Sequence, residues 1–173
     1  MVEIGKRQTL KVIRSKDFGV YLAECEEDKD AVLLPRKQVP EGLKAGGEIE
    51  VFVYLDSSDR PIATVNQPLI TLGELARLKV ASVGNIGAFM NWGLEKDILM
   101  PFKEMVGKVR EGKEYLVYMY MDKSNRPCVS MRLYNYLSTD SPFDKGEQVE
   151  GYVYQINAVS YTHLRAHETL ANL

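Results

Sequence analysis

Glu48-Ile49-Glu50-Val51-Phe52-Val53-Tyr54-Leu55-Asp56-Ser57-Ser58-Asp59-Arg60-Pro61 recurs 66 residues later as Glu114-Tyr115-Leu116-Val117-Tyr118-Met119-Tyr120-Met121-Asp122-Lys123-Ser124-Asn125-Arg126-Pro127. In the first copy Ile49, Val51, Val53 and Leu55 fall at period two, the pattern of a strand with one buried face. Tyr115, Val117, Met119 and Met121 take their places in the second. Asp56-Ser57-Ser58-Asp59 reads as a turn, and Arg60 to Val65 as the returning arm of a hairpin. The correspondence extends outward. Leu33, Pro35 and Lys37 match Leu99, Pro101 and Lys103 at the same offset. Further upstream, Lys11, Val12 and Gly19 match Lys79, Val80 and Gly87 at an offset of 68. A single two-residue deletion reconciles the two offsets. A period this long exceeds that of a solenoid repeat and fits a small domain used twice.

Each copy carries five strand patterns. In the first they are Gln8 to Arg14, Phe18 to Leu22, Ala31 to Leu34, Ile49 to Leu55 and the hairpin arm from Arg60. In the second they are Ala76 to Ser82, Ile86 to Trp92, Asp97 to Met100, Tyr115 to Met121 and Arg126 to Ser130. Five short strands with turn signals between them predict a small closed barrel, so the fold class is all-β. Expected boundaries are 1–66 for the first barrel and 67–138 for the second. Asn66 to Gly73 is too short and too apolar for a free linker, which predicts that the barrels touch. Met131 to Leu137 reads as one or two turns of helix. Gly146-Glu147-Gln148-Val149-Glu150-Gly151-Tyr152-Val153-Tyr154 looks like the opening strand of an incomplete third barrel, over 139–158.

Composition narrows the function classes. The chain of 173 residues is 45% hydrophobic and 27% charged, with a formal net charge of -2. That is an ordinary soluble composition, and it argues against a general coat for polyanions without excluding a local basic face. Cys25 and Cys128 occupy non-equivalent positions, so neither a disulfide framework nor a zinc pattern is present. Both are expected as buried or half-buried thiols. Charge at the N-terminus leaves no room for a signal peptide, and no apolar run is long enough for a membrane helix. A cytoplasmic protein is expected.

The last 15 residues, 159–173, differ in character. His163 and His167 are the two histidines of the chain, spaced i and i+4, which on a helix places both imidazoles on one face beside Glu168. No third ligand has a sensible spacing. Val159 to Thr169 resembles instead a translation of the transposase adapter used in preparing sequencing libraries. On that reading the natural protein continues past Ala158, and no metal site is expected.

No catalytic constellation is visible, with no nucleophile elbow, no phosphate-cradling glycine loop and no histidine outside the tail. The chain is therefore expected not to be an enzyme and to take neither cofactor nor small-molecule substrate. Glu24-Cys25-Glu26-Glu27-Asp28 reads as a solvated loop. Phe18-Gly19-Val20-Tyr21 is more informative. Gly19 would permit a bulge that turns both rings to one face, making a stacking platform for bases. The alternative is that one ring is core. Asp56 and Arg60, repeated as Asp122 and Arg126, fit either a cross-turn ion pair or an arginine presented to phosphate. Arg36, Lys37 and Lys103, with Arg14 and Lys16 near the same edge, form a candidate basic patch.

These residues resemble the S1 RNA-binding domain, a five-stranded barrel of the OB type. Two stretches are more specific, Gly87-Ala88-Phe89-Met90-Asn91-Trp92-Gly93-Leu94-Glu95-Lys96-Asp97-Ile98-Leu99-Met100-Pro101 and Tyr115 to Pro127. Both are similar to the conserved virulence factor B family, the YitL-like bacterial proteins with tandem S1 domains. The resemblance implies further S1 barrels and a C-terminal winged helix. It also implies RNA contacts at Phe18, Tyr21, Asp56 and Arg60, and in the second unit at Phe89, Asp122 and Arg126. Two departures stand out. The S1 histidine position is Pro35 and Pro101, and Ile86 stands where the second barrel should have its first aromatic. Trp92, nearby, either joins the RNA contacts or packs against a neighbouring barrel.

The expected function is thus a non-catalytic, tandem-S1 protein that binds single-stranded RNA, or DNA, and regulates bacterial gene expression. The alternative is that the barrels are protein-interaction modules or spacers, with nucleic-acid binding in a winged helix further along the protein.

Overall fold

The computed structural model describes residues 1–27, 29–138 and 142–151, and the backbone of 155–156, 162–163 and 169–170. Ten strands form two closed five-stranded barrels. The first contains β1 (Arg7–Lys16), β2 (Gly19–Ala23), β3 (Val32–Pro35), β4 (Glu48–Leu55) and β5 (Pro61–Thr64). The second contains β6 (Leu75–Val83), β7 (Gly87–Asn91), β8 (Ile98–Pro101), β9 (Glu114–Met121) and β10 (Pro127–Ser130). Both close in the same order, β1-β2-β3-β5-β4 and β6-β7-β8-β10-β9. All pairings are antiparallel except β3 with β5 and β8 with β10, which are parallel. Both barrels lie in one compact unit, Met1–Met131, and Arg132–Leu173 forms a second.

Each barrel is filled from equivalent positions. Leu10, Val12, Val51 and Val53 are buried in the first, and Leu78, Val80, Val117 and Met119 replace them in the second. Volume is exchanged across the core. Val20 shrinks to Ala88, while Leu22 and Leu34 become Met90 and Met100. Unbranched methionine reaches into the space that a smaller neighbour leaves.

The 3₁₀ turns Arg36–Gln38 and Phe102–Glu104 follow β3 and β8. Each is tied to the end of its hairpin by a hydrogen bond between side chains. Thr64 Oγ1 donates to Gln38 Oε1 at 2.7 Å, and Ser130 Oγ donates to Glu104 Oε2 at 2.7 Å. These bonds satisfy two buried hydroxyls, which burial without a partner would penalise.

Gly19 serves a purpose other than the bulge its sequence suggested, and Gly87 shares that purpose. The irregularity in the β1–β2 pairing lies between Val12 and Arg14 on β1, and in β6–β7 between Val80 and Ser82. The bulge is therefore on the partner strand. Gly19 is needed because β3 passes close above it: a Cβ there would stand 2.2 Å from the Leu34 carbonyl oxygen. At Gly87 the corresponding distance, to Met100 O, is 2.1 Å.

The barrels touch, as the short apolar connection predicted. Ile70 of the connection is buried. Leu69 N–H donates to Trp92 O at 2.8 Å, Leu72 N–H to Gly5 O at 3.0 Å and Gly73 N–H to Met119 O at 2.9 Å. The period-two reading of β4 captured only half of its burial. Val51 and Val53 face the first core, but the outward Phe52 and Tyr54 are also buried, under Trp92 of the second barrel.

In the second unit, Leu133–Tyr136 forms a single 3₁₀ turn where a longer helix was admissible. Val149–Glu150 pairs with Thr169–Leu170, and Gln155–Ile156 with Thr162–His163. Of the expected third barrel, residues 142–151 are described; its other side chains and those of the histidine pair fall outside the described residues. Among the described residues no helix is long and apolar enough to cross a membrane. Cys25 is exposed rather than half-buried, at the start of the acidic loop after β2, whereas Cys128 is buried. Burial, with Asp122 close by, pushes the Cys128 thiol up to about 11, so it is an inert thiol at neutral pH.

Candidate nucleic-acid interface

Strand register lines up an outward row across the first barrel: Arg14 on β1, Tyr21 on β2, Leu33 on β3 and Ile62 on β5. Phe18 stands beside the row, 55% exposed. Its ring meets Tyr21 edge to face, with centroids 6.2 Å apart and planes at 86°. The Arg14 guanidinium carbon lies 5.2 Å from the Tyr21 ring centroid. Neither ring is core. The pair offers one exposed and one half-buried aromatic with a cation over the second. Arg36 joins this edge through its backbone, whose N–H donates to Phe18 O at 2.9 Å. The Arg36 side chain is exposed.

The hairpin between β4 and β5 shows why the Asp-to-Arg spacing recurs. Asp56 Oδ1 accepts the backbone N–H of Ser58 at 2.8 Å and of Arg60 at 3.0 Å. Asp59 takes a left-handed φ of 57°, as Asn125 does at 55° in the other hairpin. Asp122 Oδ1 repeats the pattern, accepting from Ser124 N at 2.7 Å and Arg126 N at 3.0 Å. Both aspartates therefore build the turn that aims the arginine. The cross-turn ion pair forms only in the first copy, where Arg60 lies 3.0 Å from Asp56 Oδ2 and stays 75% exposed.

The backbone N–H of Arg60, more than any other group, holds the Asp56 carboxyl below the ordinary carboxylate range. A carboxyl depressed in the folded state contributes stability above its unfolded pKa, near 3.9, and that contribution is lost as pH falls through the folded value. Urea unfolding at neutral pH and near pH 3 is expected to show a wild-type advantage over Asp56→Asn that narrows in acid. An equal difference at both values would assign the aspartate no electrostatic part in the turn.

In the second barrel the same arginine is turned elsewhere. Arg126 pairs with Asp59 of the first barrel at 2.9 Å. Lys96 joins them, donating to Asp56 O at 2.8 Å and lying 3.4 Å from Asp59 Oδ1. Lys37 pairs with Glu95 across the same junction. Beneath these ions Trp92 is 2% exposed, edge-on to Phe52 and Tyr54 at centroid distances of 5.6 and 6.1 Å. Its indole N–H donates to Lys96 O at 2.5 Å. Trp92 is thus a buried residue of the barrel junction rather than part of an open stacking platform.

Position by position, the second face differs from the first. Ser82 stands for Arg14, Ile86 for Phe18, Phe89 for Tyr21, and Phe102 for Arg36. Lys103 keeps its place and is exposed, and Phe89 is half-buried. The junction residues that the sequence did not mark out are Asp59 and Lys96. Asp59 had one visible signal, as its counterpart Asn125 is uncharged.

The S1 domain family matches residues 4–66 and 72–132. The chain belongs to the S1 domain family. Among curated proteins, this S1 chain is 34% identical over 97 residues to the uncharacterized protein YitL of Bacillus subtilis, covering 56% of this chain and 32% of that one. It is 32% identical over 88 residues to conserved virulence factor B of Staphylococcus saprophyticus, covering 48% of this chain and 29% of that one. The tandem S1 barrels thus group with virulence factor B and YitL-like proteins, and the matched stretch spans about a third of those relatives. A crystal structure of a multidomain protein with nucleic acid binding domains from Streptococcus pneumoniae shares the fold. Its TM-score is 0.63 at 15% identity, covering 93% of this chain and 59% of that one.

Proposed function

We propose that this tandem S1 protein is a non-catalytic, cytoplasmic binder of single-stranded RNA, reading the strand mainly with its first barrel and acting in the regulation of bacterial gene expression. The observation that carries this is the exposed Phe18 ring set against Tyr21, with Arg14 over the second ring. Bases stack on exposed aromatic faces without regard to sequence, and cations alongside take the phosphates. Arg36, Lys37 and Arg60 supply those cations in the first barrel. Phe89, Lys103 and Arg126 make a weaker continuation in the second. Asp56 and Asp122 position the hairpins and do not themselves face phosphate. The fold shared with a protein described as having nucleic acid binding domains supports the same reading.

Fluorescence anisotropy with a labelled single-stranded RNA across a salt series tests it. Binding should weaken as salt rises, and Phe18→Ala should cost about 1–3 kcal/mol, roughly 5- to 150-fold in affinity. Arg60→Ala should weaken binding and flatten the salt dependence. Wild-type affinity in both variants would refute the platform.

A second reading has its own support. The second barrel has lost Arg14 and Arg36 equivalents, and its Arg126 is engaged by Asp59. If neither barrel binds RNA at low salt, the barrels are spacers or protein-interaction modules, and nucleic-acid binding lies elsewhere in the full-length protein.

A further inference from the structure

The row that forms the first barrel's face has a covered counterpart in the second. Register places Phe89, Leu99 and Cys128 side by side on β7, β8 and β10. There they line a cleft of about 120 Å³, closed from the other side by Leu55 and Asp59 of the first barrel. Ile86, Trp92, Lys96, Asp97 and Arg126 complete it. The walls are apolar and partly aromatic. Two cations and two carboxylates lie among them.

Size excludes most ligands. Sites for drug-sized molecules and cofactors run to about 300–1,000 Å³, so this cleft admits one planar ring and little more. Its chemistry narrows the choice further. Arg126 and Lys96 are already paired with Asp59, which leaves Asp97 as the charged group open to a ligand. The half-buried carboxylate of Asp97 has no hydrogen bond or ion pair among the described residues. Burial holds its carboxyl above the ordinary range. Its oxygens are thus open to a donor supplied by a ligand.

We propose that this cleft, built jointly by the two barrels, receives a single unstacked base of the bound strand, with Asp97 accepting from the base's exocyclic amino group. The inference deepens the RNA-binding reading by giving the junction a selective site beside a tolerant platform. The hairpin that carries Arg60 also carries Asp59, so one turn contributes to both sites. A carboxylate accepts from the 4-amino group of cytosine, whereas uracil places a carbonyl oxygen, itself an acceptor, at that position. The site therefore favours cytosine over uracil.

Trp92 is the single tryptophan of the chain and lines the cleft, so its emission reports on occupancy. Cytidine and uridine monophosphates, then oligo(C) and oligo(U), are titrated into the full chain with correction for absorption. Saturable quenching by the cytidine ligands, with uridine about tenfold weaker, is the expected result. Asp97→Asn should erase the preference, because an amide can donate to uracil or accept from cytosine. Ile86→Glu, a change at a residue 60% exposed, should weaken occupancy without threatening the fold. In Phe18→Ala, oligonucleotide affinity should fall while the mononucleotide preference persists, which separates the cleft from the platform. Oligo(C) that binds with no change in Trp92 emission would overturn the proposal and leave the platform standing. So would equal responses to C and U. A cleft that instead takes an aromatic side chain of a protein partner gives no nucleotide response, and falls under the same refutation.

Discussion

Trp92→Ala is expected to lower the stability of the chain by about 3–5 kcal/mol, the usual cost of truncating a buried tryptophan. The indole is packed edge-on against Phe52 and Tyr54 of the other barrel and holds the Lys96 carbonyl. Removing it empties the apolar centre of the junction and loosens the 92–97 loop. Lys96 then loses the support that places it on the Asp56 carbonyl and Asp59. The remaining ion pairs cannot compensate, since exposed pairs contribute about 0–1 kcal/mol each. Barrels of this size are marginal alone. Calorimetry should therefore show one transition in the wild type. In the variant it should split into two, with the lower falling by about 10 °C or more. A single transition displaced by less than about 2 °C would mean that the junction does not couple the barrels.

Gly19→Ala should be nearly as damaging for a different reason. The added carbon would stand 2.2 Å from the Leu34 carbonyl oxygen and 3.0 Å from Leu33 Cδ1. The oxygen belongs to a paired strand and cannot step aside without opening β2 from β3. A loss of about 3 kcal/mol or more is expected in urea unfolding. RNA affinity should fall with it, because Phe18 is the adjacent residue. Gly46→Ala is the control. It has a positive φ of 84° but no atom within 4 Å of the new carbon, so it carries the backbone cost alone, about 1 kcal/mol. Equal losses at the two positions would show that conformation, rather than close approach, selects glycine at Gly19.

Much of this architecture was legible in the sequence. The duplicated hairpin fixed the repeat, period-two spacing located β4 and β9, and turn chemistry placed the Asp-to-Arg hairpins. The barrel class followed because those patterns are local to each strand. What lay between the barrels was less legible. Phe52 and Tyr54 sit at outward positions of β4, where an aromatic serves equally for stacking on a base or for docking a neighbour. The choice depends on the angle between two barrels, which no strand pattern encodes. Arg126 was hidden for the same reason: its spacing from Asp122 repeats that of Arg60 from Asp56, yet its partner comes from the preceding barrel. Gly19 showed that a special backbone position was needed, but the bulge lies on the facing strand.

The clamp at Asp59 gives the duplication a direction. Asp59 accepts two cations from the barrel that follows it, and the residue in the same place on that following barrel is Asn125, which bears no charge to offer in turn. A further S1 copy docking by this rule would find no anion to grip. The two copies are descendants of one module that can no longer trade places: one has become the host and the other the guest, and transposing them would abolish the grip without changing composition.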